Sequence, residues 1–175
     1  SLQINEEFGN MVGQSSNLHG IANIYMKRGD LDEAMKLYQQ SLEIQEGMND
    51  LKGKANTLHG MAYIFRMRGD LDEAMKLYQQ SLEIKEGVHD FVGRAITLGT
   101  IGKTHWLKQN RKEAIASLQM GLMQLVELKM ELSIQQAMVL DMSSWRSELG
   151  DEKFDLIWRE VTGLDVPEWL NPPSK

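Results

Sequence analysis

The sequence predicts an all-α chain of antiparallel helix pairs, and three observations carry that prediction. The first is an internal repeat: residues 17–56 and 57–96 align without gaps, with 27 of 40 positions identical. A fixed period of this size marks a stacked array of supersecondary units. The second is spacing, since Leu18, Ile21, Ala22 and Tyr25 recur as one stripe at helical intervals. The third is proline. All three prolines of the 175-residue chain, Pro167, Pro172 and Pro173, lie in its last nine residues, so nothing before them breaks a helix interior.

The elements follow in order. Ser1-Leu2-Gln3-Ile4 aligns with Ser41-Leu42-Glu43-Ile44, so residues 1–14 read as the end of a truncated preceding repeat. Units then span 15–54, 55–94 and a degenerate 95–130. In each unit the first helix closes at a glycine such as Gly29, which tolerates the left-handed conformation of a C-terminal cap. Asp30 with Glu33, Asp70 with Glu73 and Asn110 with Glu113 resemble capping boxes that open the second helix. That helix turns Ala34, Leu37, Tyr38, Ser41 and Leu42 inward and ends near Gly47 or Gly87, with Asp50 or Asp90 capping the next. Residues 131–150 contribute a further repeat-like helix with Ala137, Met138, Met142 and Trp145 inward. Residues 151–175 hold a short amphipathic capping helix carrying Phe154, Ile157, Trp158 and Val161, then a tail. Trp158 and Trp169 suit an end cap, which a solenoid needs over its last apolar face.

Two copies of one signature identify a resemblance. Leu18-x2-Ile21-Ala22-x2-Tyr25 with Ala34-x3-Tyr38 recurs as Leu58-x2-Met61-Ala62-x2-Phe65 with Ala74-x3-Tyr78, and in degraded form as Leu98-x2-Ile101-Gly102-x2-His105 with Ala114-x3-Leu118. The pattern resembles the tetratricopeptide repeat (TPR) family, in a subclass with a 40-residue period that lacks the usual closing proline. The resemblance implies a right-handed superhelix of antiparallel helix pairs and a non-enzymatic scaffold that binds proteins.

It also implies a concave groove lined by the first helices. Transferred residue by residue, the groove positions are His19, Asn23, Met26 and Lys27 in the first unit, His59, Tyr63, Arg66 and Met67 in the second, and Lys103, Trp106 and Leu107 in the third. Lys27, Arg66 and Lys103 would form a basic line beside apolar and aromatic neighbours, fitting a partner segment with acidic and apolar residues. A carboxylate-clamp subtype does not fit, because His19, Gly60, Ile96 and Thr100 stand where its lysine, asparagine and basic residues belong.

Composition limits the alternatives. The chain has no cysteine and a net charge of −6, which removes disulfides and Cys-ligated zinc and gives no support to nucleic-acid binding. No stretch approaches a membrane span, no N-terminal signal is legible, and a cytoplasmic location is the reading that remains. His19 and His59 recur one period apart but lack further ligands for zinc, so groove lining is the better reading and no cofactor is expected. No phosphate loop or nucleophile–base set is present. Two other roles stand beside the scaffold. One is self-association through an apolar face on Leu2, Ile4 and Phe8, and the other is a sensor region of a larger signalling protein or protease.

Overall fold

The computed structural model describes residues 2–130 and 132–170, with side chains at 9–130, 135–168 and 170. Leu2, Ile4 and Phe8, the indole of Trp169, and Pro172 and Pro173 lie outside the described side chains. Among the described residues there are eight α-helices and no strand. The chain divides into two compact units, 1–90 and 91–175.

The first unit holds α1 (Leu2–Arg28), α2 (Leu31–Gly47), α3 (Leu51–Arg68) and α4 (Leu71–Gly87). Its core gathers Ala22, Ala34, Met35, Tyr38, Met61 and Ile64. The second holds α5 (Phe91–Leu107), α6 (Arg111–Glu127), α7 (Leu132–Leu149) and α8 (Asp151–Thr162), closed by a 3-10 turn at Glu168–Leu170. Helices α2 to α6 therefore start at a constant interval, at 31, 51, 71, 91 and 111.

One turn chemistry produces that spacing. At residues 29–30 the amide of Gly29 donates to the Met26 carbonyl and that of Asp30 to the Tyr25 carbonyl. This is the paired closure of a Schellman motif. The same two bonds recur at 49–50, 69–70, 89–90, 109–110 and 129–130. The left-handed residue is Gly29 or Gly69 (φ +88°) in two of these turns, but Asn49, His89, Gln109 and Lys129 in the others. Gly47 and Gly87 are therefore the last residues of their helices rather than the left-handed caps. The capping-box expectation also changes. Asp30, Asp70 and Asn110 make no side-chain cap bond. Asp50 does cap, accepting from the Gly53 amide at 2.9 Å, and α3 starts at residue 51, ahead of the unit boundary at 55.

Within each pair the helices meet on small residues. Ala22, Ala34, Ala62, Ala74 and Ala114 are fully buried, and a β-carbon on Gly102 would lie 2.9 Å from the Ala114 carbonyl oxygen. At the far end of the pair, Ser41 donates to the Ser15 carbonyl (2.9 Å) and Ser81 to the Ala55 carbonyl (2.7 Å). Gly121 takes that position in the third repeat, and a β-carbon there would stand 2.7 Å from the Ala95 carbonyl oxygen.

The stretch read as the end of a preceding repeat is continuous with the first helix of the next unit, since α1 runs unbroken from residue 2 to 28; a continuous helix satisfies its backbone groups locally, whereas a turn must be supported by packing on both sides. Ile21 and Ile24 are exposed, while their period-mates Met61 and Ile64 are buried, since α3 packs against both α1 and α2.

The C-terminal cap forms as read, with Phe154, Ile157 and Trp158 buried, but Ala137 is exposed. Its anchor is Arg146, a buried cation on α7. Arg146 pairs with Asp151 (3.1 Å) and Asp155 (3.2 Å) and donates to the Leu170 carbonyl (2.8 Å), which ties α8 and the closing turn to one side chain.

The turns give a paired expectation. Gln109→Gly is expected to raise the urea midpoint by relieving a left-handed side chain worth about 1 kcal/mol, whereas Gly69→Ala lowers it by a similar amount. Equal and small effects at both positions would contradict the assigned conformations.

Candidate functional site

The first-helix residues predicted to line a groove divide between the two units. In the first unit, α1 and α3 bring His19, Asn23, Met26, His59, Tyr63 and Arg66 to half-buried positions, with Lys27 and Met67 exposed. These residues are held by the core beneath them. The Tyr38 hydroxyl, reaching up from α2, donates to Asn23 Oδ1 at 2.6 Å and contacts the Met26 sulfur. Its ring lies against Gly60, where a β-carbon would come within 2.5 Å of it. Gly60, the residue that excludes the clamp subtype, thus makes room for a tyrosine of the preceding helix.

The histidines share one arrangement. His19 packs edge-on against Tyr38 at 5.3 Å, and His59 against Tyr78 at 5.1 Å. His19 Nδ1 lies 3.0 Å from Thr57 Oγ1. Burial holds the His19 imidazole below its usual pKa. Burial, reinforced by the charges of Lys85 and Arg66, brings His59 down to about 3. Burial likewise pushes the phenols of Tyr38 and Tyr78 up to about 12. Among the described residues, no group of three or more His, Asp or Glu could hold a metal ion.

Two features of this surface offer binding chemistry. The Arg66 guanidinium lies over the Tyr63 ring at 4.6 Å, a cation–π contact that keeps a planar donor beside an aromatic face. Met67 follows, more than half exposed at 55%. Serial Arg, Tyr and Met side chains on one helix are of the types that anchor interfaces.

In the second unit the predicted residues separate. Leu107 is exposed. Lys103 is half-buried and paired with Asp141 of α7 at 2.8 Å. Between α5 and α7 lies a groove of about 250 Å³ lined by Ile96, Gly99, Thr100, Lys103, Ala137, Met138 and Asp141. Sequence reasoning misses Asp141 and Ala137 as groove residues, because α7 lies beyond the clear repeat register.

Trp106 is a correction, because it lines no groove. It is 7% exposed and stacks on Trp145 at 4.4 Å with an interplanar angle of 4°. Its Nε1 donates to Glu148 (3.0 Å) and Arg111 covers its other face at 3.8 Å. An indole with a satisfied N–H and both faces covered belongs to the α5–α7 core.

The histidines set a pH expectation. Their folded pKa values lie below the unfolded value of 6.5, so the unfolded chain binds more protons at mildly acidic pH. Stability is then full above pH ~6.5 and falls as pH drops toward ~3. Thermal unfolding should show a midpoint declining through that window, with a shallower decline in His59→Gln; a profile unchanged by that substitution would contradict the buried neutral imidazole.

No curated protein sequence matches the chain closely enough to count as a relative. Residues 14–87 match the family model for the tetratricopeptide repeat. Among solved structures, BtubC (BKLC) from P. vanneervenii is similar at 16% identity with a TM-score of 0.70, over 92% of this chain and 68% of that one. A kinesin light chain-type protein of Podosopora anserina with nearly identical TPR-like repeats is similar at 15% identity and a TM-score of 0.66, over 85% of this chain and 73% of that one. A single-residue variant of that protein gives 16% and 0.65 over the same shares. At these identities the structures establish the fold, and the family match applies to the repeats it covers. With its signature pairs, its Schellman-closed hairpins and its matched residues, the chain carries the tetratricopeptide repeat over residues 14–87 and shares the fold of TPR-like repeat proteins.

Proposed function

We propose that this chain is a non-catalytic protein-binding module that holds a partner segment on the face presented by its first helices. TPR folds in general mediate protein–protein interaction, and among the described residues no helix is long and apolar enough to cross a membrane. The observation that carries the reading is the Tyr63–Arg66–Met67 run on α3. Its guanidinium is pre-oriented over an aromatic ring, and the underlying Tyr38–Asn23 bond fixes the neighbouring wall before any partner arrives. Preformed walls reduce the ordering cost of binding. An acidic and apolar segment fits this surface, its carboxylate meeting Arg66 and its apolar side chains meeting Met26 and Met67.

The groove between α5 and α7 extends the chemistry in the second unit. It offers Ile96 and Met138 beside the Lys103–Asp141 pair, so it favours an uncharged apolar contact over an acidic one. The basic line inferred from the sequence is thus reduced to Lys27 and Arg66 in the first unit.

A pulldown or titration with partner candidates tests the assignment. Arg66→Glu with Tyr63→Ala is expected to weaken partner binding by at least about tenfold, the scale of a truncated interface anchor, while leaving helicity unchanged. Full binding by a folded double variant would refute this face as the site.

A further inference from the structure

The third repeat departs from the first two on a face that the proposed groove does not use. In the second helix, Gln40 and Gln80 become Met120, Glu43 and Glu83 become Met123, and Glu46 and Glu86 become Val126. All three replacements are exposed, at 49%, 51% and 51%. Positions that carry charge or amide groups in the first two repeats are thus apolar in α6, and such a change on a solvent-facing helix costs solubility unless something covers it.

A second change accompanies the first. Ile44 and Ile84 become Gln124, which accepts a hydrogen bond from Arg94 Nη1 of α5 at 2.7 Å. The cation at the equivalent position of the preceding repeat, Lys54, is neutralised by Glu46 at 2.6 Å. Arg94 is instead turned against α6 with its Nε lacking a hydrogen-bond partner. Together Arg94, Gln119, Met120, Met123, Gln124 and Glu127 line a groove of about 310 Å³.

We propose that this α5–α6 groove is a second docking surface, and that its occupant is an amphipathic helix of a partner protein. The occupant's apolar stripe would cover Met120, Met123 and Val126, and one carboxylate beside that stripe would meet Arg94. Methionines suit such a role because their flexible thioethers repack around different side chains. Charge complementarity fixes the occupant's sign at the Arg94 end: the guanidinium is held there by the neutral amide of Gln124, and an approaching carboxylate adds a charge-assisted contact that an amide does not supply. A second copy of the chain fits less well, because its own α6 offers Met and Val along this stripe and carries carboxylates only near its ends, at Glu113 and Glu127.

The test uses a fluorescein-labelled synthetic helix with leucines at i, i+3, i+4 and i+7 and one flanking glutamate, with matched peptides carrying Gln or Lys in that place. The whole chain is titrated against each by fluorescence anisotropy at low salt. Binding is expected for the Glu peptide, about tenfold weaker for Gln and weaker again for Lys, in keeping with one charge-assisted contact. Arg94→Gln should erase the ranking among the three. Met120→Gln with Met123→Glu restores residues that the first two repeats carry at these positions, so the fold is expected to survive, as circular dichroism can verify, while all three peptides lose binding. The proposal is overturned if no peptide binds, if the methionine double variant binds as well as the parent, or if the ranking persists without Arg94. It is also overturned if sedimentation shows self-association that the same double variant abolishes, which would make a second copy the occupant.

Discussion

Close approach of two helices over small residues is the constraint on which the rest of this structure depends. Alanine or glycine stands at the buried crossing near each turn, and Ser41, Ser81 and Gly121 stand at the far end, against a backbone carbonyl of the partner helix. With no bulk between the two backbones, a side chain such as Tyr38 is displaced to the next interface, between one pair and the following first helix. There it supports His19 and, through Asn23, the wall of the proposed site. The shape of the proposed surface is therefore a consequence of how the pairs close. Its residues can vary because the positions that set the geometry lie underneath.

The turns add a second level of regularity. The letters repeat every 40 residues, but the backbone repeats its Schellman closure at half that interval. The shorter period is invisible in the letters because the left-handed position accepts Gly, Asn, His, Gln and Lys alike. What the backbone bonds require is a conformation, and residue identity only modulates its cost. The residue types of a capping box are present at Asp30 and Asp70, but no side-chain cap forms there, whereas Asp50 caps in a turn of the same backbone closure.

Legibility follows burial. The helix pairs, the repeat signature and the cap on Phe154, Ile157 and Trp158 are readable because apolar periodicity reports directly on the core. The candidate site is readable only where repeat register is strict: Tyr63, Arg66 and Met67 come together on α3 with the exposure that a surface role needs. The register misplaces Trp106, because first-helix position alone does not say whether a flat indole finds another indole, here Trp145 on a helix outside the clear register. Arg146 is not legible at all, since a lone arginine in a repeat-like helix carries no signal of its two carboxylates. The Met120–Met123–Val126 face is present in the sequence as a difference between repeats, which emphasis on their similarity conceals.

The close-packing constraint is tested most directly by comparing two glycine substitutions in urea unfolding followed by circular dichroism. Gly20 is an interior residue of α1 with nothing within 4 Å of a β-carbon, whereas a β-carbon on Gly121 would lie 2.7 Å from the Ala95 carbonyl oxygen. Helix propensity alone predicts that alanine stabilises both by about 1 kcal/mol. If helix approach over small residues governs the fold, Gly20→Ala raises the midpoint while Gly121→Ala lowers stability by about 1–3 kcal/mol, the usual cost of overpacking. A rise in both midpoints would contradict the constraint.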